Sequence, residues 1–126
     1  MTPRTILLAE DDRFLRRAAE VTLKQRGFTV LVACDGQEAL DMARAYRPDL
    51  LLLDLLMPRK TGMEVLTELR AQPGTRDLRV LILSNSSKEL EMQSAKALGV
   101  AGYWIKANLS LKELGDRVTA LLDARA

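Results

Sequence analysis

Acidic side chains follow two apolar runs of this chain, and their type and position suit chemistry. Glu10 and Asp11 come directly after the apolar residues 6–9, and Asp54 comes directly after four leucines, residues 50–53. A carboxylate is costly to bury in a core, so a carboxylate that directly follows a buried strand is better suited to act as a nucleophile or metal ligand. In parallel sheets, ligands bind at the carboxyl ends of the strands, where such a residue emerges. These acids therefore mark a candidate site.

Two later apolar runs end on a hydroxyl and an ammonium group, Ser84 and Lys106. Three carboxylates held together repel one another unless a cation neutralises them, and oxygen ligands favour a hard ion such as Mg²⁺. With Mg²⁺ and Lys106 present, the charges of Glu10, Asp11 and Asp54 are balanced. Such a site suits phosphoryl transfer, in which metal, lysine and hydroxyl share the phosphoryl oxygens.

The elements that position these residues are repeated pairs of a strand and a helix. Short apolar runs alternate with segments of helical period, which predicts an α/β protein whose parallel sheet is covered on both faces. The predicted strands are 5–9, 29–34, 49–54, 79–84 and 101–106. The predicted helices are 13–25, 37–46, 62–71, 88–98 and 111–124. Ligands of such sheets bind at the carboxyl ends of the strands, where the strand order reverses.

Capping chemistry supports these helix boundaries. Asp12 is assigned as the cap of the first helix rather than to the site. The other four helices each have a capping residue three positions before an acid: Asp35 with Glu38, Thr61 with Glu64, Ser86 with Glu89 and Ser110 with Glu113. Gly27 and Gly99 are predicted where helix C-termini need a left-handed residue.

Composition narrows the class of protein. At 126 residues the chain is expected to be a single domain, 1–126, and its net charge of +2 includes no basic block that predicts nucleic-acid binding. No apolar stretch is long enough to span a membrane and no secretion leader is recognisable, so we expect a cytoplasmic location. With one cysteine and no histidine, an internal disulfide and the common zinc sites are excluded. Cys34 is expected to pack as a small apolar residue on a strand.

Together, these motifs resemble the receiver domain of two-component response regulators, of the stand-alone single-domain type. The pieces that carry the resemblance are residues 6–12, Asp54 to Pro58 with Gly62, Ser84, and residues 102–106. The resemblance covers the whole chain. It implies a flavodoxin-like, doubly wound sheet of five parallel strands in the order 2-1-3-4-5, with five helices.

The resemblance also implies a role for each acid. Asp54 would accept a phosphoryl group from the phosphohistidine of a sensor histidine kinase or a phosphotransfer protein. Glu10 and Asp11 would hold Mg²⁺ together with Asp54, and the backbone carbonyl of Leu56 would be a further ligand. The chain would catalyse only its own phosphorylation and dephosphorylation and would not otherwise be an enzyme.

The same resemblance implies a conformational switch. Ser84 and Lys106 would bind phosphate oxygens, and Tyr103 would swing inward as Ser84 closes on the phosphate. Trp104 is expected to pack against neighbouring helices. The signal would pass to a downstream protein, or to a second copy of the chain in a homodimer, through the face of the fourth helix, fifth strand and fifth helix.

The sequence departs from the family at two positions, and a third residue bears on how long the phosphate lasts. Ala107 replaces the proline that usually follows the lysine, so we expect a trans Lys106–Ala107 bond. Asn85 replaces a small residue and should narrow access to the acceptor. Leu56 cannot hydrogen-bond an attacking water, which predicts slow loss of phosphate.

Two other classes of function fit the fold. One is an interaction module that works without phosphorylation, since the changes at Asn85 and Ala107 could impair the chemistry. The other is a phosphatase-type hydrolase or a flavin-binding domain. A hydrolase would need a second acid where Leu56 stands, and a flavin site would need a Ser/Thr/Gly-rich loop where the three acids stand.

Overall fold

Five parallel strands form one sheet in the structure, a computed structural model that describes residues 3–123. The strands are β1 (Thr5–Ala9), β2 (Thr29–Ala33), β3 (Leu50–Leu53), β4 (Val80–Ser84) and β5 (Gly102–Ile105). They are hydrogen-bonded in the order β2-β1-β3-β4-β5, with every pair parallel. The predicted strand order is confirmed.

Five α-helices connect and follow the strands. They are α1 (Arg13–Gln25), α2 (Gly36–Tyr46), α3 (Gly62–Ala71), α4 (Glu89–Ala97) and α5 (Leu111–Asp123), and a single 3₁₀ turn (Lys106–Asn108) links β5 to α5. The predicted element boundaries agree with these within one residue. The predicted end of the last helix, residue 124, and the outermost residues of the predicted domain, 1–2 and 125–126, lie outside the described residues.

The leucines of β3 show why the sheet needs helices on both faces. Successive side chains of a strand point to opposite faces, so Leu51 and Leu53 enter one apolar layer while Leu50 and Leu52 enter the other. The first layer is completed by α2, α3 and α4, and the second by α1 and α5. All four leucines are buried, because β3 lies in the middle of the sheet. This burial holds the following residue, Asp54, at the edge of the core.

Side-chain caps fix the starts of four helices. The Asp12 carboxylate accepts hydrogen bonds from the backbone N–H groups of Phe14 and Leu15, both at 3.0 Å, so its assignment as the cap of α1 is confirmed. The three other predicted caps that form are Asp35 with Glu38, Thr61 with Glu64 and Ser110 with Glu113. Gly27 and Gly99 have φ angles of 91° and 72°, as predicted for helix ends.

The predicted cap of α4 is wrong. The residue that precedes the helix is Lys88, whose side chain makes no capping bond, and the Ser86 hydroxyl accepts from the Lys88 N–H at 3.4 Å rather than from Glu89. The carbonyl of Ser86 accepts a hydrogen bond from the Tyr103 hydroxyl. Ser86 is therefore bound to Tyr103 of β5 and to the loop that precedes α4. Because α4 begins at Glu89, Lys88 and not Ser86 occupies the N-cap position.

The prediction for Cys34 is also wrong. β2 ends at Ala33, and Cys34 is exposed in the turn that follows. Its backbone N–H donates to the Glu38 carboxylate at 2.9 Å, and Asp35 caps α2. The start of α2 therefore captures the backbone of Cys34 and ends the strand one residue earlier than its apolar pattern predicts.

Candidate functional site

The carboxyl ends of the strands bring the predicted acids and the lysine together. Glu10 follows β1, Asp54 follows β3 and Lys106 follows β5. A shallow cavity at this edge is lined by Glu10, Asp11, Asp12, Asp54, Leu56, Asn85 and Lys106. Residues far apart in the sequence thus form one site, as the parallel sheet predicts.

The ammonium group of Lys106 joins the acids of two strands. Its Nζ lies 2.5 Å from Oε1 of Glu10 and 3.0 Å from Oδ2 of Asp54. Both acids are buried, and only 13% of the Lys106 side chain is exposed. Because β4 and β3 separate β5 from β1, the lysine side chain reaches across the sheet edge to make these contacts. The sequence predicted the group but not this double contact.

Burial and charge shift the protonation equilibria of this cluster. Burial raises the pKa of Glu10 and the nearby charge of Asp54 adds to the rise, while hydrogen bonds from Lys106 and the Asp12 N–H reduce it. Burial alone would lower the pKa of Lys106, but its hydrogen bonds to the two carboxylates and their charges together raise it. Lys106 is therefore a fixed positive charge at neutral pH.

The acids form a donor set that suits a divalent cation. Glu10, Asp11 and Asp54 each offer one carboxylate oxygen, and these oxygens lie within 4.8 Å of one another. A single lysine leaves this cluster negative, which fits a hard cation with oxygen ligands. Both oxygens of Glu10 already accept hydrogen bonds, from Lys106 and from the Asp12 N–H, whereas Asp11 is exposed. Asp11 and Asp54 are thus the acids best placed to bind an ion directly.

The loop that carries Glu10 and Asp11 is held by α1. The Nη1 atom of Arg16 donates to the carbonyl of Glu10 at 3.0 Å and lies 3.3 Å from that of Asp11. Sequence reasoning missed this residue. The available signal was its position, one helical turn after the cap Asp12, from which a long side chain reaches back over the loop. Arg16 fixes the backbone from which the acids extend.

A glycine keeps the loop that carries Asp54 close to α3. A Cβ atom at Gly62 would lie 2.3 Å from the backbone carbonyl oxygen of Asp54, too close for any side chain. The Gly62 N–H donates to the carbonyl of Leu55 at 2.9 Å. The start of α3 is therefore packed directly on the backbone that carries Asp54.

Ser84 lies at the sheet edge but does not line the cavity. It is fully buried at the end of β4, and its hydroxyl accepts from the Ser86 N–H at 3.2 Å. The Tyr103 hydroxyl donates to the Ser86 carbonyl at 2.8 Å, so Ser84 and Tyr103 are linked through one residue. Trp104 faces the opposite layer, where Arg117 lies 5.5 Å from its ring centre, which confirms its packing against a helix.

Comparison with known proteins assigns the family. The sequence profile of the response regulator receiver domain matches residues 6–119. The chain belongs to the response regulator receiver domain family. Membership of this family implies a place in phosphorylation-based two-component signalling.

Individual relatives agree with this assignment. The response regulator MprA of Mycobacterium tuberculosis is 41% identical over 117 residues, covering 93% of this chain and 50% of MprA. The chain spans about half the length of the curated relatives it matches. The receiver domain of the Francisella response regulator 1452 superposes with a TM-score of 0.86 at 28% identity, covering 98% of this chain and 99% of that one. The Mn²⁺-bound form of response regulator Rcp1 superposes with a TM-score of 0.80 at 30% identity, covering 94% and 91%.

This receiver domain departs from the family pattern in the loop after β5. The Lys106–Ala107 bond is trans, as predicted, and no cis peptide bond occurs within residues 3–123. The Ala107 N–H donates to Oδ1 of Asn85 at 3.1 Å, and Asn85 also lines the cavity.

Within residues 3–123, no helix is both long and apolar enough to cross a bilayer.

Proposed function

We propose that Asp54 accepts a phosphoryl group from the phosphohistidine of a sensor histidine kinase or a phosphotransfer protein, in a Mg²⁺-dependent reaction. The observation that carries the proposal is the buried Asp54 carboxylate 3.0 Å from Lys106, with two further acids beside it. A buried carboxylate next to a fixed cation and a metal-binding set is the arrangement that phosphoryl transfer requires.

In the proposed transfer, an oxygen of Asp54 attacks phosphorus in line and forms a P–O bond. The P–N bond to the donor imidazole breaks, and the imidazole leaves with the bonding electrons. Lys106 neutralises charge on the phosphoryl oxygens from the position it already holds beside Asp54. Mg²⁺, when bound by Asp11 and Asp54 with Glu10 nearby and the Leu56 carbonyl as a further ligand, would supply the remaining positive charge.

The donor set supports a divalent cation on chemical grounds. Oxygen ligands alone, in a cluster with excess negative charge, suit Mg²⁺ or Mn²⁺. The structure of the relative Rcp1 with Mn²⁺ bound supports the same class of ion for this fold. We propose Mg²⁺ because it binds phosphate oxygens and keeps its waters.

Phosphorylation would switch the protein through Ser84 and Tyr103. A phosphoryl group adds charge and strong acceptors beside Lys106. Ser84 would then leave the Ser86 N–H and donate to a phosphate oxygen, which requires the loop from Asn85 to Lys88 to move. Because the Tyr103 hydroxyl is bound to the Ser86 carbonyl, the same movement would change the position of Tyr103.

The surface formed by α4, β5 and α5 would report this change to a downstream protein, or to a second copy of the chain in a homodimer. It includes Leu90, whose side chain is 78% exposed. We further propose that the chain acts in the cytoplasm, and that it catalyses only its own phosphorylation and dephosphorylation.

Intact mass spectrometry tests the acceptor and the metal together. The protein is incubated with acetyl phosphate and Mg²⁺, alongside Asp54→Asn, a sample with EDTA, and Asp41→Asn. Asp41 is an exposed acid of α2 that serves as a matched control. We expect a gain of one phosphoryl group in the wild type and in Asp41→Asn, and none in the other two samples.

A negative result with acetyl phosphate is followed by the same assay with a phosphorylated histidine kinase domain, since Asn85 lines the site and could exclude a small donor. No transfer from either donor would overturn the proposal. A phosphorylation-independent interaction module would then be the better description of the chain.

A further inference from the structure

The loops that follow β4 and β5 are joined just beyond the end of the sheet, one residue past β4 and two past β5. The pairing of β4 with β5 ends at Ser84 and Ile105. Immediately beyond it, the side-chain oxygen of Asn85 accepts a hydrogen bond from the backbone N–H of Ala107 at 3.1 Å. The Asn85 side chain therefore links the loop after β4 to the loop after β5 at the point where the backbone pairing of the two strands stops.

This bond acts directly on the backbone of Lys106. Lys106 opens the 3₁₀ turn, its carbonyl accepts from the Leu109 N–H at 3.2 Å, and its Nζ contacts Glu10 and Asp54. β5 is the edge strand, so nothing pairs with it on its outer side. Of the described hydrogen bonds, the one from Ala107 to Asn85 is what ties this turn to the neighbouring loop.

We propose that Asn85 is a positioning residue for Lys106. Its amide oxygen anchors the Ala107 N–H and so fixes the backbone from which the lysine side chain reaches Asp54. The inference rests on the proposed function, in which Lys106 neutralises the transferred phosphoryl group. A proline at position 107 has no N–H to donate, so the bond exists only because position 107 is not a proline.

The exposure of Asn85 and Ala107 indicates that the hydrogen bond between them does not serve core packing. Asn85 and Ala107 are both exposed, so neither residue is needed to fill the core. An exposed hydrogen bond competes with water and contributes modestly, which sets the expected size of its effect at about five- to tenfold. A different account of Asn85 is that it only narrows the cavity as a bulky side chain. That account predicts no effect of removing the Ala107 N–H.

The positioning itself is measured without any phosphodonor. Amide hydrogen exchange measures how strongly the Ala107 N–H is protected by its hydrogen bond. A second assay follows the acylation of Lys106 by an N-hydroxysuccinimide ester, with peptide mass spectrometry as the readout. A faster acylation means that the Lys106 side chain is held less firmly. Lys112, which is 82% exposed, is the internal reference. The variants are Asn85→Ala, Asn85→Asp, Ala107→Pro and Asn108→Ala. Asn108 lies in the same turn, and its side chain makes none of the side-chain hydrogen bonds found within residues 3–123.

We expect Asn85→Ala to remove the protection of Ala107 and to raise Lys106 acylation about five- to tenfold relative to Lys112. Ala107→Pro should raise acylation to a similar degree, and Asn108→Ala should leave it unchanged. Asn85→Asp keeps the acceptor oxygen and should keep Ala107 protected. Lys106 acylation within twofold of the wild type in Asn85→Ala would overturn the proposal.

A double-mutant cycle then connects the bond to phosphorylation. Asn85→Ala, Ala107→Pro and the double variant are compared in the rate of mass gain with acetyl phosphate and Mg²⁺. If both substitutions act through one bond, the double variant is no slower than the slower single variant. If the double variant is instead slowed by the product of the two single-variant factors, the two substitutions act independently and the proposal is overturned. A wild type that accepts no phosphoryl group from any donor would refute the proposed function, while the exchange and acylation results would still decide the role of Asn85.

Discussion

Leu56 is the apolar side chain that lines the cavity beside Asp54, the proposed phosphoacceptor. It lines the same cavity as Asp54, and 68% of it is exposed. Its N–H lies 3.4 Å from Oδ1 of Asp54, so the backbone faces the acceptor while the side chain has no group that can bind water. The chemistry of this one side chain therefore bears on how long an aspartyl phosphate survives.

We expect Leu56→Asn to speed the loss of phosphate about tenfold, equivalent to about 1.4 kcal/mol of barrier, because an amide can hydrogen-bond and orient the attacking water. The measurement is the decay of the phosphorylated mass after removal of the donor. Leu90→Asn is the control, because Leu90 is also an exposed leucine, at 78%, but lies on α4 and does not line the cavity. Equal decay rates in Leu56→Asn and the wild type would show that this side chain does not limit hydrolysis.

Among the elements, α3 is the helix whose start packs directly on the backbone of Asp54, the proposed acceptor. Thr61 and Glu64 cap each other's backbone N–H groups, at 3.1 and 3.2 Å. The next residue, Gly62, packs against the backbone carbonyl of Asp54. A change in this cap therefore affects both the stability of the helix and the support of the loop that carries the acceptor.

We expect Thr61→Ala to lower the free energy of unfolding by about 1 kcal/mol, the usual cost of losing a helix N-cap. Urea denaturation checks the value. Thr67→Ala is the matched control on the same helix, where the exposed hydroxyl bonds only the Met63 carbonyl, and we expect a change below about 0.5 kcal/mol there. A loss in Thr61→Ala no larger than in Thr67→Ala would contradict a stabilising role for the cap.

At the scale of the whole molecule, the acidic cluster couples cation binding to folding. Its members lie on segments that follow β1 and β3, so the cluster forms only when the sheet is assembled. An ion that binds the folded state but not the unfolded chain adds to stability. The cluster therefore predicts a dependence of stability on divalent cations.

We expect Mg²⁺ at one hundred times its dissociation constant to raise the free energy of unfolding by about 2.7 kcal/mol. Urea denaturation at increasing Mg²⁺ measures the gain. Asp11→Asn should shrink it, because Asp11 is the most accessible of the three acids, whereas Asp41→Asn should retain it. The same gain in Asp11→Asn as in the wild type would exclude Asp11 from the ion site.

The same gain should depend on pH. Burial raises the pKa of Glu10 above the ordinary glutamate value of 4.5. In the metal-free protein, protonated Glu10 contributes stability that is present at low pH and is lost as the pH rises through the raised value. Protons and Mg²⁺ compete for the cluster, so the stabilisation by Mg²⁺ should grow as the pH rises through that value. A gain that stays constant from pH 4.5 to 7 would be inconsistent with a raised pKa of Glu10.

The sequence by itself determined the order of strands and helices and the residues that meet at the sheet edge. This was possible because a parallel sheet places the ends of its strands together, so the residues after β1, β3 and β5 could be read from the apolar pattern. Local capping chemistry likewise predicted the starts of four helices, because each cap is made by residues three positions apart. The predictions were wrong at Ser86, whose carbonyl is bound by Tyr103 of β5, and at Cys34, whose backbone N–H is captured by Glu38 at the start of α2.

Only the tertiary structure decided which contacts the site residues make. That Lys106 spans from β5 to both Glu10 and Asp54, and that Ser84 is buried away from the cavity, depends on the twist and stacking of elements far apart in the chain. The bond from Ala107 to Asn85 is of the same kind. Residue types and strand ends are properties of the chain, but distances between side chains 22 to 96 positions apart are fixed only by how the layers pack.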